Sequence, residues 1–185
     1  MKKIISFLGS PNKNGNTSIL VNRAIQGAVS KKADVREFYL NSLVLKGCQA
    51  CMSCRKTRWC AVKDDARQIL EDIPDCDGII FGTPVYMFEM TGQMKLLIDR
   101  FFCYLNDDFT HRLGEGKDCI FIFSQGNADE KAFLPYFTSV SKAMQMLGFN
   151  VKKIIIGNGL TKLGMVKDRP ELLEQAYQAG QMLAG

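Results

Sequence analysis

Short apolar runs alternate along the chain with segments whose apolar residues recur at three/four spacing. That alternation predicts repeated βαβ units and a parallel sheet. Strands are expected at Lys3–Leu8, Val35–Leu40, Gly78–Gly82, Cys119–Ser124 and Val151–Ile156. The Gly78–Gly82 run is apolar throughout, which suits a strand covered by helices on both faces. Helical faces are expected from Leu20, Val21, Ala24, Ile25, Ala28 and Val29, and from Met94, Leu97, Ile98 and Phe101. Asp64-Asp65 opens another helix, with Ala66, Ile69, Leu70 and Ile73 facing inward and the acids favoured by the N-terminal dipole. Phe133, Phe137, Val140, Met144 and Leu147 trace a further stripe, and Pro170 starts a last helix through Leu173, Ala176, Tyr177 and Leu183. Together these predict an α/β fold: a doubly wound, five-stranded parallel sheet of order 2-1-3-4-5 with helices on both faces. No repeat or linker composition interrupts the chain. Residues 1–185 are therefore expected to form one domain, with a cysteine-rich insertion at about 46–63.

Composition narrows the function classes. The chain is 46% hydrophobic and 23% charged, and its net charge of +5 is spread rather than gathered into a stripe. Lys31-Lys32 and Lys152-Lys153 are isolated pairs, so nucleic acid is not expected as a partner. No segment approaches the roughly 18 consecutive apolar residues of a membrane span. The opening apolar run is broken at once by Gly9-Ser10-Pro11-Asn12, so it reads as a strand and not as a signal peptide. A cytoplasmic location is the resulting expectation. Seven cysteines in that reducing setting point to metal, cluster or redox chemistry before a disulfide framework.

Ligands of doubly wound sheets sit beyond the carboxyl ends of the strands, where the winding reverses. Three loops there are chemically distinctive. After the first strand, Gly9-Ser10-Pro11-Asn12-Lys13-Asn14-Gly15-Asn16-Thr17-Ser18 combines glycines, hydroxyls and a helix start, a combination that suits a phosphate but also a plain N-cap. It matches neither the Walker pattern nor G-x-G-x-x-G. After the third strand, Gly82-Thr83-Pro84-Val85-Tyr86-Met87-Phe88 offers a rigid proline, aromatics and free backbone groups for a flat ring. After the fourth, Ser124-Gln125-Gly126-Asn127 forms a small glycine-bearing turn.

In this order and spacing the loops resemble those of the NADPH-dependent FMN reductase family of flavodoxin-like proteins. The resemblance implies that Ser10, Asn16, Thr17 and Ser18 hold the FMN phosphate. Many relatives carry Arg directly after the proline; this chain has Asn12 there and Lys13 next, both counted among the cofactor-binding candidates. It further implies that Thr83, Pro84, Val85, Tyr86, Met87 and Phe88, with Ser124, Gln125 and Gly126, line the flavin ring. NAD(P)H as a transient co-substrate, a quinone, flavin, small organic or protein acceptor, and a homodimer or homotetramer are also implied. No side chain is assigned as catalytic, because the cofactor carries the chemistry. His111, the only histidine, lies in the polar stretch 106–117 and is expected to be a loop residue.

Cys48-x2-Cys51-x2-Cys54-x5-Cys60 places four thiols within thirteen residues. Two-residue gaps let thiolates converge on one centre, although the last gap and Ala61 depart from the ferredoxin run. The spacing resembles the compact motif of iron–sulfur flavoproteins, a branch of the same family, which makes these four the candidate [4Fe–4S] ligands. Metal-free thiols or a redox disulfide, and a structural zinc, stand beside that reading. Cys76, Cys103 and Cys119 are expected to be small buried hydrophobes. At the level of function, an FMN oxidoreductase, a non-enzymatic electron carrier and a zinc-stabilised thiol-sensing module are the three classes left.

Overall fold

A computed structural model of the chain describes residues 1–114 and 116–185; position 115, inside the polar stretch 106–117, lies outside the described residues. The first βαβ unit is β1 (Lys3–Leu8), α1 (Asn16–Ser30) and β2 (Asp34–Tyr39). Two short helices follow, α2 (Ser53–Thr57) and α3 (Ala66–Asp72), before β3 (Gly78–Tyr86), β4 (Glu89–Met90) and α4 (Gly92–Asp99). The remainder is β5 (Lys117–Ser124), α5 (Leu134–Met146), β6 (Phe149–Gly157) and α6 (Pro170–Ala184). The parallel strands run in the order β2-β1-β3-β5-β6, with β4 pairing only to β3.

The sheet thus has six strands where five were expected. The additional β4 is a two-residue antiparallel strand that pairs Val85 with Met90 and Tyr86 with Glu89. Two residues are too few to show a period, which is why the hydrophobic pattern does not reveal it. Neighbouring β3 also runs four residues beyond the apolar run and carries Thr83 to Tyr86 out to the end of the sheet.

The alternation of side chains along the strands divides the core in two. Ile4, Leu8, Ile80, Ile120, Ile122 and Ile155 face α1 and α6, whereas Ile5, Phe7, Ile79, Phe81, Phe121 and Phe123 face α3, α4 and α5. The second face is aromatic: Phe81 stacks on Phe121 at 4.7 Å and Phe123 on Phe137 at 4.1 Å between ring centroids. Full burial of such a ring contributes about 1.5–3 kcal/mol each over leaving it exposed. On the aliphatic face α1 comes close to the sheet. A Cβ on Gly82 would stand 2.1 Å from Val21 Cγ2, so only glycine admits α1 at that distance.

One expected face is corrected. Val29, predicted to point inward, is 53% exposed, and Gly27 and Gly180 instead form the contact between α1 and α6. Asp65 stands at the N-cap of α3, as expected, although its side chain makes no cap hydrogen bond. Asp65 Oδ2 accepts from the Val44 amide at 2.7 Å, and Asp64 Oδ2 accepts from the Lys46 amide at 2.7 Å and from Arg100 at 2.8 Å. These acids fasten the chain entering the cysteine segment to the chain leaving it. Of the described helices, none is long and apolar enough to cross a membrane.

Candidate functional site

The carboxyl ends of β1 and β3 are tied together before any ligand is considered. The Gly9 amide donates to Gly82 O at 2.8 Å, and Thr91 Oγ1 donates to Gly9 O at 2.8 Å. Thr91 also donates its amide to Thr83 Oγ1 at 3.0 Å, and its hydroxyl caps α4 by accepting from Met94 N. A Cβ on Gly9 would meet Thr91 Oγ1 at 2.9 Å, so the absence of a side chain permits this junction. Thr83 and Thr91 are buried parts of the scaffold.

From Ser10 the chain turns into α1. Ser10 Oγ bridges the Asn12 backbone, and Ser18 Oγ donates to Asn12 O at 2.6 Å. Gly15 is the N-cap and no side chain caps the helix. The first amides of α1 therefore remain available, and they carry the positive end of a 15-residue helix dipole. Thr17 Oγ1 and Ser124 Oγ share a hydrogen bond at 2.6 Å, which joins this helix start to the end of β5.

An open cleft of about 250 Å³ lies over these ends. It is lined by Ser10, Gly15, Asn16 and Thr17 from the first loop, Pro84, Val85 and Tyr86 from the second, and Ser124, Gln125 and Gly126 from the third. The loop after β6 completes it with Leu160, Thr161, Lys162 and Leu163. Nine of the fifteen cofactor residues expected from sequence are thus brought together. The other six lie off the lining. Ser18 is buried on Asn12 O, and Thr83 is held in the scaffold. Asn12 is exposed, its Oδ1 accepting from the Asn14 amide at 2.9 Å, and Lys13 Nζ stands 4.6 Å above the Tyr39 ring. Met87 and Phe88 are 88% and 69% exposed, on left-handed backbone. The loop after β6 was missed by the sequence reading. Its signal was the Gly157-Asn158-Gly159 turn at the carboxyl end of a strand, where the winding rule directs attention.

Gln125 has an unusual status in the cleft. It is 3% exposed, its amide nitrogen donates to Asp129 O at 2.8 Å, and its Oε1 is buried without a partner among the described residues. A buried acceptor left unpaired costs about 1–3 kcal/mol, a cost that a donor at this place in the cleft would relieve.

The cysteines divide by environment. Cys48 and Cys51 are exposed, Cys54 and Cys60 half-buried, and Cys76, Cys103 and Cys119 buried. Arg100, 1% exposed, donates from Nε to Cys60 Sγ at 2.9 Å. The hydroxyl of Ser53 holds the Cys51 thiol below its ordinary range, while burial raises Cys54. Burial also pushes the Cys103 thiol up to about 12 and Cys76 to about 11. Among the described residues, no three histidine, cysteine or acidic side chains stand close enough to hold a metal ion. As arranged, the four clustered thiols do not fit a [4Fe–4S] centre. His111 is half-buried, and its Nδ1 is 2.7 Å from Leu113 O.

A family model described as NADPH-dependent FMN reductase matches residues 2–148. The chain belongs to that family. An iron–sulfur flavoprotein of Methanocaldococcus jannaschii is 35% identical over 98 residues, 53% of this chain and 51% of its own length. The chain thus spans about half the length of that relative. YwqN of Bacillus subtilis, whose name describes an NAD(P)H-dependent FMN-containing oxidoreductase, is 27% identical over 174 residues, 92% of each chain. In fold, an FMN-dependent NADH-azoreductase from Bacillus anthracis superposes with a TM-score of 0.77 over the full length of both chains at 11% identity.

Proposed function

We propose that this chain is an FMN-dependent oxidoreductase that draws hydride from NAD(P)H and passes electrons to a quinone, flavin, small organic or protein acceptor. The observation that carries the reading is the cleft at the winding reversal. It has an uncapped helix start at one end and the orphaned acceptor of Gln125 in its wall. Family membership and the full-length similarity to YwqN support the same conclusion.

The residues present fit FMN. Ser10 and Thr17 hydroxyls and the first amides of α1 suit its phosphate, because backbone N–H groups and the helix dipole both favour an anion. Pro84, Val85 and Tyr86 supply an apolar wall, and Gln125 Oε1 supplies an acceptor for a ring N–H. FMN, when bound, contributes a ring that accepts hydride and passes electrons on. The protein's part is to grip the phosphate, orient the ring against the Pro84 loop and keep water from the covered face. The Thr83–Thr91–Gly9 network holds the two loops in register for that task.

The spacing of Cys48, Cys51, Cys54 and Cys60 and the name of the Methanocaldococcus relative support a cluster; the separated thiols do not. No step is routed through one, and iron and acid-labile sulfide analysis of anaerobically purified protein distinguishes the cases. A second functional reading is an electron carrier between proteins, favoured by the exposed Tyr86, Met87 and Phe88 at the rim.

The test is titration of apo-protein with FMN by flavin fluorescence, followed by NADH and NADPH oxidation with quinone and flavin acceptors. Retention of FMN with turnover is expected. Retention without bleaching by either nicotinamide selects the carrier, and failure to retain FMN removes both.

A further inference from the structure

Among the described residues lining the cleft, Lys162 is the sole charged one. Its ammonium enters no ion pair among the described residues. Lys13, the cation expected from sequence, is outside the lining and stands over the face of Tyr39, whose hydroxyl donates to Pro11 O at 2.6 Å. The loop bearing Lys162 is fastened to the start of α1 by one side chain. Asn16 Nδ2 donates to Lys162 O at 2.9 Å and to Leu160 O at 3.5 Å, and Asn16 Oδ1 accepts from the Val166 amide at 3.1 Å. Left-handed Gly159 and Gly164 frame the loop, and the Leu160 amide donates to Gln125 O at 2.9 Å.

Asn16 thus spends both ends of its amide on the protein. Its side chain is a latch that holds the backbone of Lys162, a residue of the cleft lining, beside the helix start. We propose that Lys162, positioned by Asn16, is the cation that pairs the phosphate of FMN and makes the site select FMN over unphosphorylated riboflavin. This rests on the flavin reading above. The helix amides alone favour an anion, but a formal positive charge adds a charge-assisted bond, worth roughly twice a neutral one. Because the contact is to phosphate and not to the ring, its loss falls on one ligand of the pair and spares the other.

The experiment measures dissociation constants of FMN and riboflavin by fluorescence quenching for wild type, Lys162→Gln, Lys162→Arg and Asn16→Ala. Lys162→Gln is expected to weaken FMN by about tenfold or more while riboflavin changes by less than about twofold, and Lys162→Arg restores most of the loss. Raising the salt concentration weakens FMN binding more steeply in wild type than in Lys162→Gln. Asn16→Ala weakens FMN selectively, and adding it to Lys162→Gln brings little further loss, since both act through one contact. Equal losses for both ligands, or none for FMN, overturn the proposal while the flavin site stands. So does a change confined to the KM for NADPH against NADH. Wild type that retains neither flavin overturns the flavin site itself, and the proposal with it.

Discussion

Arg100 and Asp64 face each other at 2.8 Å with neither side chain exposed to solvent. The same guanidinium donates to Lys46 O at 2.9 Å, to Val62 O at 3.1 Å and to Cys60 Sγ at 2.9 Å. Arg100 follows directly on α4, so a charge at the helix end anchors both ends of the cysteine segment. Removing one member of a buried pair leaves the other charge unpaired, which costs about 3–5 kcal/mol. Arg100→Met is therefore expected to lower the urea-unfolding free energy by that amount. Asp64→Asn in the same chain should recover part of it by removing the stranded charge. Additive losses in the double variant would contradict a direct pairing.

The contact between α1 and α6 sets a second expectation. A Cβ on Gly180 would stand 1.8 Å from Ala24 O, a backbone atom that cannot rotate away. Gly180→Ala should cost at least about 1–3 kcal/mol, the usual range for overpacking. Gly92, exposed in the first turn of α4 with nothing within 4 Å of its Cβ position, is the control. Gly92→Ala should stabilise by about 0.4–1 kcal/mol. Thermal melts of the two variants moving in the same direction would refute this account.

Gln125 provides a test of the ring end of the cleft. Replacing it with Leu removes the orphaned acceptor and the bond to Asp129 O. FMN and riboflavin share the same ring, so Gln125→Leu should weaken both by about tenfold. Titration of both flavins checks it; a loss restricted to FMN would place Gln125 at the phosphate instead.

The buried thiols define an alkaline limit. Burial raises Cys76 from 9.0 to about 11 and Cys103 from 9.0 to about 12. A folded-state value above the unfolded one means that the native chain holds its proton longer. The stabilising contribution is complete below about pH 9, and it is lost as pH climbs through the folded values. Melting temperature should thus fall progressively between pH 9 and 11, and less steeply in Cys103→Ala than in wild type. Identical slopes would remove Cys103 from the explanation.

How far the chain announced itself varies from one residue to the next. Gly78–Gly82 was legible as a buried strand because both neighbouring faces are covered and every residue is apolar. The inward set of α1 was mostly legible, yet Val29 and Gly27 exchanged roles because α6 approaches closely enough to require glycine. Such an approach is a tertiary fact without a period in the sequence. In the cleft, Ser10, Thr17, Pro84 and Gln125 were legible from loop chemistry at strand ends. Lys13 looked like the cation by adjacency, but the ring of Tyr39, from the end of β2, lies under it. Lys162 reaches the same mouth from 146 residues beyond Asn16, through a side-chain latch that no local pattern encodes.

Anchoring of positions 46 and 62 to one guanidinium means that the segment between them behaves as an exchangeable cassette. A change in its length or thiol content is thereby borne by the two anchored ends, away from the strands that build the cleft.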